Sequence, residues 1–278
     1  MQALRHYLLA IQFFSRIPVT GRLAAWVGWS AEMQRASAAH LPGVGWLVGL
    51  WAAALVTLVL WLLPGSPWTP LLAALISTAG TLWLTGGFHE DGLADVADGL
   101  GGFVPAERAL EIMKDSRLGS YGVMALVMAL LTKVVLLAAV LDRTIPYWGP
   151  VPAVILAVAM HVLSRFSPLV LMHNLAHVGL AASSKTLNVA GQQLGWRGLI
   201  TGALWTLPIV ALLWWFGSGW LVLKIAIACS VTPWLLQRWL RKRLGGMTGD
   251  CLGACQQVVE IALLLAAAAA LLRLAPPL

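Results

Sequence analysis

Charge is scarce in this sequence. Only 10% of its 278 residues are charged and 60% are hydrophobic, and mean hydropathy is +0.84. A soluble domain carries roughly a quarter charged residues, so the shortage excludes an ordinary soluble fold and points to a polytopic membrane protein. Acids are rarer still, 11 against 18 bases, for a net charge of +7. Those bases lie at the ends of apolar stretches, where they orient spans, so the positive balance does not imply a nucleic-acid partner. Cysteine is limited to Cys229, Cys251 and Cys255, too few for a disulfide framework. Cys251 and Cys255 stand at i, i+4 with no His near them in sequence, and read as small packing residues. A cleavable leader is not expected, because Arg5, Gln12 and Arg16 interrupt the first apolar run.

What is present is a succession of apolar runs long enough to cross a bilayer. The predicted spans cover about 41–63, 70–88, 118–141, 149–172, 198–216, 220–236 and 252–272. Before them, residues 1–18 alternate bases with Leu8, Leu9, Ile11, Phe13 and Phe14, the pattern of an amphipathic helix lying on the membrane surface. Residues 19–40 are polar and basic without a strong pattern. The expected fold is therefore all-α: one transmembrane domain, 1–278, of about seven helices plus the amphipathic N-terminal helix. Trp46, Trp61, Trp68, Trp148, Trp196 and Trp220 fall near span ends and read as interfacial anchors.

With the amino terminus in the cytoplasm, thirteen bases fall on the inner side. They are Arg5, Arg16, Arg22, Arg35, Arg108, Lys114, Arg117, Lys185, Arg197, Arg238, Arg241, Lys242 and Arg243. Only Arg143 and Arg273 fall outside, while Lys133, Arg165 and Lys224 lie within spans. This asymmetry orients the protein and places the acidic segment, the 173–197 connection and Asp250 on the cytoplasmic side. The oligomeric state stays open, a homo-oligomer included.

Seven of the 11 acids crowd into residues 86–122: Glu90, Asp91, Asp95, Asp98, Glu107, Glu111 and Asp115. Asp91, Asp95 and Asp98 stand at i, i+4 and i+7, one face of a helix. Like charges so placed repel unless something positive sits between them. Hard oxygen ligands of this kind suit Mg²⁺ or Mn²⁺, which keep several waters and take other ligands from substrate phosphate. Gly92, Gly99, Gly101 and Gly102 let backbone approach a ligand closely. Arg108, Lys114 and Arg117 follow as donors for phosphate oxygens, with Ser116 between the last two. The plainer alternative is a solvated acidic loop capping the membrane surface.

Other residues carry two readings each. Asp250, in the turn 245–254, is either an N-cap or a ligand or base facing the first cluster. Glu260 lies inside the last span, where an ionisable side chain is costly. It is either functional or paired with Lys133, Arg165 or Lys224. Arg165 either grips a phosphate from the inner face or snorkels to the headgroups. His173 and His177 have metal-ligand spacing, but a span end is more often interfacial.

Three stretches, GGFHEDGLADVADG (86–99), IMKDSRLGSYG (112–122) and GGMTGDCLGA (245–254), closely resemble the signatures of the cobalamin synthase family, the membrane-bound adenosylcobinamide-GDP ribazoletransferases. FFSRIPV (13–19) and LPGVGWLVG (41–49) are similar to that family's opening. Glu90 stands where the family carries an apolar residue, and Gln257 where it often carries an acid.

The resemblance implies a Mg²⁺-dependent transferase of vitamin B12 biosynthesis. Its substrates would be the corrinoid adenosylcobinamide-GDP and α-ribazole or its 5′-phosphate, and its products GMP and adenosylcobalamin or its phosphate. It implies Asp91, Asp95 and Asp98 as metal ligands, and Asp91, Asp115 and Asp250 in catalysis. Lys114, Ser116, Arg117 and Arg165 would bind substrate. Displacing GMP needs charge neutralised on the diphosphate, a ribose hydroxyl in line, and a base in reach of its proton. A CDP-alcohol phosphotransferase-like enzyme is the nearest alternative, since Asp95 to Gly99 is similar to the opening of that family's motif. A cation or proton transporter is the alternative from another class; it would want acids near mid-bilayer, where only Glu260 is placed.

Overall fold

The computed structural model describes residues 1–179 and 193–271; Lys185 and Arg273 of the charge pattern lie outside them. Three short helices open the chain, α1 (Gln2–Phe14), α2 (Gly21–Val27) and α3 (Ala31–Ser37). The bundle follows as α4 (Leu41–Leu62), α5 (Thr69–Thr85), α6 (Phe88–Gly101), α7 (Ala106–Ile112) and α8 (Ser120–Trp148). It continues through α9 (Pro150–Ser164), α10 (Ser167–Asn174), α11 (Trp196–Phe216), α12 (Gly219–Leu244) and α13 (Gly249–Leu271). Among the described residues there is no strand, only an isolated parallel bridge between His177 and Met247.

Six helical stretches are long and apolar enough to cross a membrane, with α9 and α10 counted as one, and the bent pair α5–α6 brings the number to seven. The all-α polytopic bundle expected from the apolar runs is therefore present, with one difference. The second span is short, because α5 ends at Thr85 and α6 leaves it at 89°. Its 17 residues rise about 25 Å, and α6 then turns away to pack against α8 and α13. Gly86 and Gly87 make that corner, at φ of 72° and 71°. Two successive left-handed residues are cheap only for glycine.

The ends of the crossings gather at two rims. At one, the 64–67 turn borders Asp142 and Pro150, and Gly217 and Ser218 lie beside Trp148 and Leu271. At the other, Phe13, Phe14, Phe88, Met172 and Gly249 surround a common apolar niche. Several bases of the sequence pattern lie on this side. Arg16 joins Leu84 through its backbone N–H (2.7 Å), Arg243 donates to the Gly102 carbonyl (2.9 Å), and Arg241 donates to that of Asn174 (3.3 Å). Small residues bring α4 against α9. A Cβ on Gly45 would stand 2.5 Å from the His161 carbonyl oxygen, and one on Gly49 2.9 Å from the Val158 Cα.

The N-terminal helix is amphipathic, as expected, and its apolar side is turned to the bundle. Leu9, Ala10, Ile11 and Phe14 are buried against the bundle, with Phe13 and Phe14 edge-on to Phe88. Residues 19–40, which lack a strong pattern, fold as α2, α3 and a short 3₁₀ turn beneath it. Trp61, Trp68, Trp148, Trp196 and Trp220 are exposed near helix ends as expected of anchors. Trp46 is not, since its indole N–H donates to the Trp205 carbonyl at 2.9 Å.

Candidate active site

The acidic stretch folds as expected into a helix, and α6 carries Asp91, Asp95 and Asp98 along one side. Asp91 is exposed, and Asp95 and Asp98 are half-buried. The glycines of this helix serve packing rather than ligand approach. A Cβ on Gly92 would stand 2.7 Å from the Asp250 carbonyl oxygen, and one on Gly99 would stand 2.6 Å from Met113 Cγ. The α6–α13 crossing thus puts Asp250, in the first turn of α13, beside the aspartate helix. The turn ahead of it is fixed by Gly245, at φ 74°. It is also fixed by Met247, whose backbone N–H donates to Ala176 and whose carbonyl accepts from Val178, each at 2.9 Å.

The carboxylates have different partners. Asp98 accepts backbone N–H bonds from Gly119 and Gly122, both 2.8 Å. It therefore anchors the N-terminus of α8, where the helix dipole favours a negative charge. A side chain at either glycine would collide with this carboxylate. Asp250 accepts from the Thr248 hydroxyl at 3.3 Å. For Asp95 the forces on its carboxyl are burial and neighbouring charge. Burial first, then the charges of Asp250, Asp91 and Asp98, push its carboxyl up to about 7. A crowd of acids with its central member so disfavoured as an anion matches the donor chemistry of a hard divalent cation. Among the described residues, no three His, Cys, Asp or Glu side chains converge as a finished metal site. The carboxylates fit an ion that takes one or two of them and completes its shell from water and phosphate.

The basic half borders this cluster. Arg117 grips Asp115 through Nε at 2.9 Å and Nη2 at 2.5 Å, and its backbone N–H adds a third bond at 3.0 Å. That pairing pulls the Asp115 carboxyl down to about 2, which makes it a weak proton acceptor. Asp115 is half-buried, while Ser116 and Arg117 are exposed. Arg108 pairs with Glu111 at 2.8 Å, also exposed. The Lys114 ammonium acts electrostatically on both Asp250 and His177.

His177 was weighed in the sequence only as a partner for His173. The structure separates the two. His173 joins the Leu194 carbonyl (2.6 Å) and lies against Trp196, while His177 is held by the bridge to Met247 beside the Asp250 turn. Cys251 and Cys255 are buried packing residues, as expected.

Arg165 does not reach the rim or the headgroups. It is 2% exposed, and its Nη1 donates to the His161 carbonyl at 3.0 Å. The helix break between α9 and α10 turns it inward, into a buried polar set that spacing could not reveal. Glu260 pairs there with Lys133 at 2.5 Å, so the acid best placed for a transport role is already neutralised. Gln257 Nε2 donates to Glu90 Oε1 at 2.9 Å. The two positions that depart from the family pattern are thus in contact.

Residues 6–268 match the family model described as cobalamin-5-phosphate synthase. The chain belongs to the cobalamin-5-phosphate synthase family. Among the similar curated members of this enzyme family is the adenosylcobinamide-GDP ribazoletransferase of Polaromonas naphthalenivorans, 51% identical over 98% of this chain and 100% of that one. Those of Leptothrix cholodnii and Vibrio cholerae, with the same name, are 44% and 40% identical. They cover 93% and 92% of this chain, and 92% and 90% of their own. No solved structure matches the chain. In a member of this family, the rim cluster and its basic neighbours bring seven of the chain's 11 acids together with Arg108, Lys114 and Arg117.

Proposed function

We propose that the protein transfers the adenosylcobinamide phosphate moiety of adenosylcobinamide-GDP to α-ribazole or its 5′-phosphate, releasing GMP and giving adenosylcobalamin or its phosphate. The observation that carries this reading is likeness over nearly the full chain to relatives named for that activity. The ribose hydroxyl oxygen bonds to the phosphorus on the corrinoid side, the P–O bond to GMP breaks, and the hydroxyl proton passes to a base. Asp250, set beside the aspartate helix, is the better acceptor, because Arg117 keeps Asp115 ionised and weakly basic.

Asp91 and Asp95 would hold Mg²⁺, with Mn²⁺ as a substitute, and Asp98 would add its negative charge from beside them while its oxygens keep the α8 N-terminus in place. When bound, the ion neutralises the diphosphate oxygens on which charge grows as GMP departs. Lys114, Ser116 and Arg117 orient the diphosphate from the exposed turn, with Arg117 set in place by Asp115. The rim faces the cytoplasm of a prokaryotic inner membrane, on the side of the basic segments.

The test uses purified protein in lipid with adenosylcobinamide-GDP, α-ribazole 5′-phosphate and Mg²⁺. GMP is expected only when all three are present, and Asp91→Asn or Asp95→Asn should abolish its release from protein that unfolds at the wild-type temperature. Release without Mg²⁺, or at the wild-type rate from both variants, overturns the proposal.

A further inference from the structure

Beneath the aspartate face runs a buried chain of side chains that the proposed reaction does not use. Glu90, the residue before Asp91, accepts the 2.9 Å bond from the Gln257 amide on α13. Gln257 also donates to the Gln256 side-chain carbonyl at 2.8 Å, and Gln256 donates to Ser164 Oγ at 2.8 Å and to Glu260. Glu260 ends the chain against Lys133 of α8. Helices α6, α8, α9 and α13 therefore meet through directional bonds, and every member of the chain is 8% exposed or less.

Apolar side chains would pack these positions without the cost of desolvating carboxylates and an ammonium. What the polar chain adds is register. Asp91 stands between two contacts of α6 with α13. Glu90 meets Gln257 on one side, and Gly92 meets the Asp250 backbone on the other. Among the described residues, Glu90 Oε2 is buried without a partner, so the Gln257 bond to Oε1 is the one side-chain hydrogen bond its carboxylate has there.

We infer that Glu90 and Gln257 are positioning residues that fix where the Asp91 carboxylate stands, with the Lys133–Glu260 pair anchoring the far end of the chain. The inference rests on the metal reading of the aspartates. Groups that orient a metal ligand from behind typically change metal affinity about 10–100-fold when altered.

The test is Mn²⁺ binding, read by electron paramagnetic resonance on purified protein in nanodiscs, beside the Mg²⁺ dependence of GMP release. Gln257→Leu is expected to weaken Mn²⁺ binding about 10-fold or more, and to raise the Mg²⁺ needed for half-maximal release in parallel. Glu90→Gln keeps an acceptor for the Gln257 amide and is expected to stay within about threefold of wild type. Glu90→Leu alone should weaken binding about as much as Gln257→Leu, and the pair Glu90→Leu/Gln257→Leu should bind no worse than either single, because both changes break one bond. Wild-type Mn²⁺ binding in Gln257→Leu, or a double variant that loses the product of the single effects, overturns the inference. A wild-type protein that neither binds Mn²⁺ nor releases GMP overturns the proposed function instead.

Discussion

Replacing Lys133 by Met removes the ammonium 2.5 Å from Glu260 while both sites stay in the bundle interior. At an effective dielectric near 20, two unit charges at that distance attract by about 7 kcal/mol. Most of this offsets the desolvation of the two ions, so the pair itself contributes little net stability. Removing one partner is another matter: it strands a buried carboxylate and costs about 3–5 kcal/mol, a large share of a typical 5–15 kcal/mol. At roughly 2–4 °C per kcal/mol, Lys133→Met is expected to unfold about 10 °C below wild type. Thermal unfolding in nanodiscs, followed by the emission of the 15 tryptophans, measures it. The double variant Lys133→Met/Glu260→Met removes both charges of the pair, though it leaves the buried Arg165 without that carboxylate, and should lose clearly less stability than the sum of the two singles. A single variant as stable as wild type, or a double variant as unstable as the sum of the singles, refutes this reasoning.

Asp95 must lose its proton before it binds a cation, and its carboxyl is held near 7 by burial and its acidic neighbours. Metal affinity should therefore rise about tenfold per pH unit below about 7 and level off above it; Asp95→Asn should flatten that slope in Mn²⁺ titrations. Because an acid raised above its unfolded value favours the protonated folded chain, metal-free protein should lose stability as pH rises from about 4 through 7. Thermal unfolding with and without Mg²⁺ reads this out. Gly92→Ala forces a methyl against the Asp250 carbonyl and should cost about 1–3 kcal/mol, with GMP release falling more than stability. Asp98→Ala leaves the Gly119 and Gly122 N–H groups without their acceptor, so hydrogen exchange should quicken at the start of α8, at a cost of about 1–2 kcal/mol.

The aspartate face was legible because one-face spacing survives any detail of packing: Asp91, Asp95 and Asp98 share a helix as their intervals require. Glu260 was legible as a pair of possibilities, and the buried ion pair with Lys133 is one of them. The anchoring of α8 by Asp98 was not, because its partners are backbone N–H groups with no signature in residue type. Nor was the contact of Glu90 with Gln257, since it depends on how α6 crosses α13, and a sequence does not state crossing angles. The same holds for Arg165, whose direction is set by the break between α9 and α10, and for the burial of α1, which an amphipathic pattern alone cannot distinguish from a membrane-surface helix.

The central claim is that the α6 aspartates hold a cation that in turn holds the diphosphate. Phosphorus NMR of adenosylcobinamide-GDP bound to the protein, with Mn²⁺ added, tests it most directly. The account predicts that both diphosphate resonances broaden strongly with wild type and stay sharp with Asp91→Asn/Asp95→Asn. Equal broadening with the variant, or none with wild type, would contradict it.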